Sequence, residues 1–163
     1  MLVTLTGIVT LFRLVHLLNV AISNEVNPSG ITMFSSERQF INAVAQAEKE
    51  CGQRLQFVVG FADLQESAYH FYFEFQDQGA SQDICKKFTQ IVDKALKGEN
   101  VEYAAKRDSF RVKDPVGHLL TENSFAKFKT AMIKNGARDG QFKMNLLMQD
   151  DKRREYFKEL VRS

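Results

Sequence analysis

The residues whose type and spacing could do chemistry are few in this sequence, and the most suggestive are Gly140-Gln141-Phe142-Lys143, near the C-terminus. Lys143 comes after a glycine-marked turn and precedes an apolar run over residues 144–148. Glycine lets the backbone bend and the apolar run anchors it, so a cation held there is placed to reach a phosphate or a carboxylate. Most lysines at the start of a strand are solvated surface groups, so the tetrapeptide needs support from its context. The other candidates are weaker. His16, His70 and His118 fall in three different elements with no ligand spacing among them, and no metal site is expected. His70 is read as a solvent-facing or packed side chain. Cys51 and Cys85 have no CxxC spacing, which excludes a zinc site and a secreted disulfide framework and fits a reducing, cytoplasmic setting. Phosphate-binding, dinucleotide-binding, zinc-protease and serine-elbow motifs are absent.

The elements that must position such residues belong to an ordinary globular chain. Of 163 residues, 44% are hydrophobic and 26% charged, and 14 Phe with no Trp point to a core built on phenylalanine. Residues 100–163 hold 14 Lys and Arg against 9 Asp and Glu, so the C-terminal third is the more cationic part. That bias suits an anionic ligand or an acidic partner, although the interleaved acids fit a solvated surface equally well. Residues 1–22 are strongly apolar, but Arg13 and His16 interrupt them and no basic segment precedes them. They are read as a strand-rich lead-in turning at Gly7, without a signal peptide or membrane span.

Residues 23–36 form a loop. Ser36 and Gln39 have the form of a capping box, opening a helix that buries Phe40, Ile41, Val44 and Ala47 and ends near Cys51 and Gly52. Leu55, Phe57, Val59 and Phe61 alternate as a half-buried strand. Its partner, after a polar turn, carries Tyr69, Phe71, Phe73 and Phe75 on one face and His70, Tyr72 and Glu74 on the other. Ser81 caps a second helix with Ile84, Phe88, Ile91, Val92 and Ala95 inward, ending at Gly98. A short helical turn over 100–106 and a strand region over 110–121, broken at Pro115, come next. A helix from Asn123 or Ser124 carries Phe125, Phe128 and Met132 and stops before Gly136. A strand over 141–148 leads to a closing helix from Asp150, with Tyr156, Phe157, Leu160 and Val161 on its inner face. This order predicts an α+β fold. It is a ferredoxin-like split β-α-β sandwich with a C-terminal helix-strand-helix extension, helices on one face and a mainly antiparallel sheet. The aromatic strands lack the basic-glycine-aromatic pattern of an RNA-binding sheet, and no nucleic acid is expected.

Several stretches together resemble one family. Asn100-Val101-Glu102-Tyr103-Ala104-Ala105-Lys106-Arg107, then Ser124-Phe125, Gly136-Ala137 and Gln141-Phe142-Lys143, with Tyr69-His70-Phe71 and Glu74 upstream, are similar in order and spacing to the C-terminal domain of the Gretchen Hagen auxin-responsive family. Those proteins are acyl-acid amido synthetases of the adenylate-forming class. The resemblance implies a two-step reaction in which ATP and a carboxylic acid give an acyl-adenylate that an amino acid opens to an amide. A large N-terminal domain holds the nucleotide, and the small C-terminal domain swings as a lid. Lys143 would be the lid lysine that neutralises phosphate charge, Gln141 and Arg107 would be substrate-binding, and Arg107 can equally be structural.

Two departures shape the expectation. The family's N-terminal domain cannot fit before Leu14, and Asn24-Glu25-Val26-Asn27-Pro28-Ser29-Gly30 stands where the family has a Gly-Glu-Lys-like turn. Residues 1–22 are therefore expected to be a remnant of a missing domain, and residues 23–163 a free-standing or truncated lid, inactive alone. ATP and magnesium are implied only for the complete enzyme, and no cofactor for this chain by itself. The expected partner is an N-terminal adenylation domain, and exposed strand edges leave dimer formation open. The rival reading is a non-enzymatic module whose basic C-terminal surface holds an anionic partner.

Overall fold

The computed structural model describes residues 35–136 and 144–162, and the expected opening strands lie outside them. The first helix, α1 (Glu37–Cys51), starts where the sequence places it. The Ser36 amide donates to Gln39 Oε1 at 2.9 Å, and the Gln39 amide donates back to Ser36 Oγ at 3.3 Å. Gly52 ends it at φ 66°, a left-handed turn that a side chain resists. Next come β1 (Leu55–Asp63) and β2 (Ala68–Phe75), an antiparallel hairpin with Val59 opposite Tyr72 and Phe61 opposite His70. Helix α2 (Gln82–Glu99) is capped by Ser81 and outlasts Gly98 by one residue. Asn100 then closes α2 and, accepting from the Tyr103 amide at 2.9 Å, opens α3 (Val101–Asp108), a longer helix than the single turn expected.

The strand expected over 110–121 is only β3 (Val116–Leu119). Pro115, which has no N–H for a ladder, precedes it, and Phe110 is in the loop before it at φ 57° with 88% of its surface exposed. Then come α4 (Ser124–Lys134), β4 (Leu147–Met148) and α5 (Asp151–Glu159), which are the expected helix-strand-helix extension. Of the strand expected over 141–148, residues 141–143 lie outside the described residues, and among the described residues 144–148 strand pairing is confined to the two of β4.

The fold is α+β, with sheet order β3-β2-β1-β4. Its arrangement differs from the expected one in two ways. Among the described strands only the β1–β2 pair is antiparallel; β3 runs parallel to β2, and β4 parallel to β1. Helices also cover both faces. Tyr69, Phe71, Phe73 and Phe75 pack against α1 to α3, with Phe71 5.0 Å from Phe40 and Phe73 5.0 Å from Phe88 between ring centres. Val59, Phe61 and Tyr72 form a second apolar face under Phe128 of α4 and Phe157 of α5, themselves 4.9 Å apart. A strand enclosed on both faces needs no polar side, and every residue of β2 is buried. The close approach of α2 to β3 depends on Gly117, where a Cβ would meet Thr89 Oγ1 at 1.9 Å.

Candidate functional site

Lys143 and Gln141 lie outside the described residues, but both ends of the stretch that carries them are held. On one side α4 ends at Lys134, and the chain turns at Gly136 with φ 97°. On the other, Met144, Leu147 and Met148 are buried, as the apolar run requires. The Gly60 amide of β1 donates to the Leu146 carbonyl at 2.7 Å, and the Leu146 amide donates to Glu37 in the first turn of α1. Residues 137–143 thus join a helix end to a strand stitched between β1 and α1.

Arg107 is buried, and this chain's own groups occupy its donors. It grips Asp93 with Nε at 3.0 Å and Nη2 at 2.9 Å, gives Nη1 to the Val112 carbonyl at 2.9 Å, and pairs with Asp114. The Tyr103 hydroxyl donates to the same Asp93 at 2.5 Å. These bonds, above all that to Asp93, push the guanidinium pKa further up. They tie α3 to α2 and to the loop that delivers Pro115 to β3. Glu74, another residue of the family-like pattern, is also engaged. Its carboxylate accepts from the amides of Asn123 at 2.7 Å and Ser124 at 2.9 Å, supplying the cap of α4 that the Asn123 side chain does not. Burial raises its pKa despite those amides.

A second buried polar cluster among the described residues was not legible as such in the sequence. His70 and His118 meet because β2 and β3 run parallel with Tyr72 opposite His118. Their rings stack at 5.3 Å, with His70 Nδ1 3.0 Å from His118 Nε2, and His118 stacks on Tyr72 at 4.5 Å. Arg154 of α5, three residues before the buried Phe157 and so on the same helical face, is 8% exposed. Its guanidinium pairs with Asp63 at the end of β1 and reaches His70 Nε2 at 3.3 Å. Glu66 in the hairpin turn lies 3.3 Å from the same nitrogen. His16 lies outside the described residues.

The charges settle each group's state. Burial opposes ionisation of Asp63, yet the turn amides of Glu66 and Gln65 and the Arg154 guanidinium hold its carboxyl below the usual range. His70 is pushed down by burial and then by Arg154, against the opposing pull of Glu66 and Asp63. Burial, the His70 ring, Arg154 and Lys158 push His118 down to about 4. The Tyr72 hydroxyl is buried without a well-formed hydrogen bond among the described residues, and burial pushes its pKa up against the pull of Arg154. Asp63, Glu66 and His70 each offer a ligand atom within 4.8 Å of the others. The cation that three such groups would attract is already supplied by the Arg154 guanidinium.

This arrangement of helices and strands has known relatives. The model of the "GH3 family C-terminal domain" matches residues 38–152. A solved structure described as "GH3.15 acyl acid amido synthetase" superposes with a TM-score of 0.66 at 14% identity, covering 82% of this chain and 26% of that one. A second, "AtGH3.15 acyl acid amido synthetase in complex with 2,4-DB", gives 0.62 at 15% identity, covering 86% and 25%. The chain therefore spans about a quarter of the length of these proteins, and the likeness is one of fold. No curated protein matches it. Among the described residues no helix is long and apolar enough to cross a membrane.

Proposed function

Because this chain belongs to the GH3 C-terminal domain family, we propose that it acts as the lid of an acyl-acid amido synthetase, completing the site of an N-terminal adenylation domain. The observation that carries this reading is the family match over residues 38–152, which takes in Gln141-Phe142-Lys143. Lys143 is the working residue. A cation preorganised in a desolvated cleft stabilises the charge that develops on phosphate far better than one in bulk water, and lids gate turnover by rigid-body motion. ATP with magnesium, bound chiefly by the N-terminal domain, would supply the adenylyl group that activates the acid, with pyrophosphate as the leaving group. This chain's contribution suits the phosphates and not the metal, because Asp63, the buried acid of the group best placed for a metal, is engaged by Arg154. Arg107 has a structural role, holding α3 and its loop through Asp93 and Asp114. Two free thiols, Cys51 and Cys85, support a cytoplasmic setting.

The test is complementation. Added to the N-terminal domain of a GH3 synthetase, the chain is expected to raise ATP–pyrophosphate exchange, and Lys143→Ala to remove the gain by about a hundredfold, the scale of losing one charge-stabilising group. No gain with the unaltered chain overturns the proposal. A shallow groove between α4 and α5, lined by Ala126, Lys127, Thr130, Ala131, Lys134 and Tyr156, favours a second reading as a module that binds an anionic partner. Such binding must weaken with salt and be shared among several cations; binding that ignores salt eliminates it.

A further inference from the structure

The His70–His118 pair sits where α5 meets the sheet, and the helix is held there by two kinds of contact. One is apolar, through Phe157 against Phe57, Phe61 and Tyr72. The other is the polar cluster, where Arg154 bridges Asp63 of β1 and His70 of β2. Beyond α5, the Arg162 amide donates to the Leu119 carbonyl at 2.7 Å and Val161 bridges Leu120, so the end of the chain also leans on β3.

Each element packed around His118 presents a defined charge. From α5 come Arg154 and Lys158, the latter 2.5 Å from Glu155. From β2 come His70 and the neutral Tyr72. From β1 and the turn come Asp63, committed to Arg154, and Glu66, which faces the far nitrogen of His70. On the opposite face of β3, α2 presents Thr89 and Cys85 at Gly117, and burial pushes the Cys85 thiol up to about 11, so it is uncharged. Among the described residues no carboxylate is within hydrogen-bond reach of His118. A proton arriving there would add a cation between an arginine, a lysine and a second imidazole whose facing nitrogen is only 3.0 Å away. The Arg154 donor facing His70 Nε2 favours the tautomer with the proton on His70 Nδ1, which then donates into that N···N contact, and a second proton on His118 Nε2 opposes it.

We propose that His118, with His70, is an acid-sensitive latch that seats the C-terminal helix α5 on the sheet while both rings are neutral and releases it when His118 takes up a proton. The proposal does not depend on the lid reading. The direction comes from linkage. An exposed imidazole titrates near 6.5, at about the ordinary value, whereas folded His118 stays neutral down to about 4. The open state therefore binds the proton first. Seating of α5 is fully supported above about pH 6.5 and lost progressively as pH falls toward 4.

The test is amide hydrogen exchange on the full chain, with intrinsic rates corrected for pH. Between pH 7 and pH 4.5 the amides of α5 are expected to lose about tenfold to a hundredfold more protection than those of α1, the range set by the two titration points. His118→Gln, which can keep the bond to His70, and His118→Phe, which can keep the stack on Tyr72, should each flatten that difference. Equal loss in α1 and α5, or a folded variant with unchanged pH dependence, overturns the latch. Should both variants fail to fold, the imidazole titration of the unaltered chain decides. A His118 midpoint well below 6.5 that coincides with exposure of α5 supports the proposal, and an ordinary midpoint with α5 still protected overturns it.

Discussion

The two faces of the sheet are held by different physics. Toward α1, α2 and α3 the contact with the sheet is aromatic and aliphatic, from Phe40 and Phe71 to Phe73, Phe75 and Phe88, and the buried Arg107–Asp93 pair ties α3 to α2 and not to the sheet. Toward α4 and α5 the apolar cluster is smaller, and a buried polar group runs beside it, from Asp63 through Arg154 to the two histidines. Hydrocarbon burial is non-directional and indifferent to protons. A buried guanidinium with stacked imidazoles is directional, and it fails when one member changes charge. The first face should therefore be the constant part of the domain, and the second the part that responds to conditions. The same second face carries Met144 and Met148, the anchors on one side of the lysine-bearing stretch.

The largest effect should come from breaking the constant face. Phe88 is fully buried and touches both Phe73 and Phe75. Phe88→Ala is expected to cost about 3–5 kcal/mol, and the loss measured by urea unfolding should be the same at pH 7 and pH 5. A loss that changed with pH over that range would break the distinction between the faces.

Arg154→Met should come next. It leaves Asp63 buried without its cation, a change of about 3 kcal/mol at pH 7. Asp63→Asn combined with Arg154→Met should recover much of that loss, because the amide oxygen can still accept from the turn amides of Gln65 and Glu66. Chemical denaturation of the single and double variants measures this. If the double variant is no more stable than the single one, the guanidinium acts through its packing and not its charge.

What the sequence disclosed divides along the same line. Capping at Ser36 and Ser81, the alternation of Phe71, Phe73 and Phe75, and the inward stripe from Ile84 to Ala95 are local signals, and each element stands where they put it. His70 and His118 are 48 residues apart and meet through a parallel pairing of β2 and β3. Local periodicity gives the face a residue takes but not the strand beside it. The period-2 reading did set His70 and Tyr72 apart from the phenylalanines. What it lacked was the second helical layer that encloses them. Arg154 was hidden for another reason: in a helix rich in basic residues, only its spacing from Phe157 marks it as facing inward.

The smallest effect offers the sharpest comparison, because the same capping chemistry occurs on both sides. Ser36 caps α1 through the Gln39 amide, and Asp150 caps α5 by accepting from the Arg153 amide at 3.0 Å. Removing either cap by Ser36→Ala or Asp150→Ala is expected to cost about 1 kcal/mol. Their consequences should still differ. Helix α1 rests on hydrocarbon, so Ser36→Ala should lower stability uniformly with pH. The seating of α5 already weakens as His118 approaches protonation, so loss of the Asp150 cap should move its release to higher pH. Exchange rates of α5 amides across pH 7 to 4.5 in the two variants measure this directly. An equal pH response would mean that α5 is held by its apolar contacts alone, and that the polar cluster beneath it is a passive part of the core.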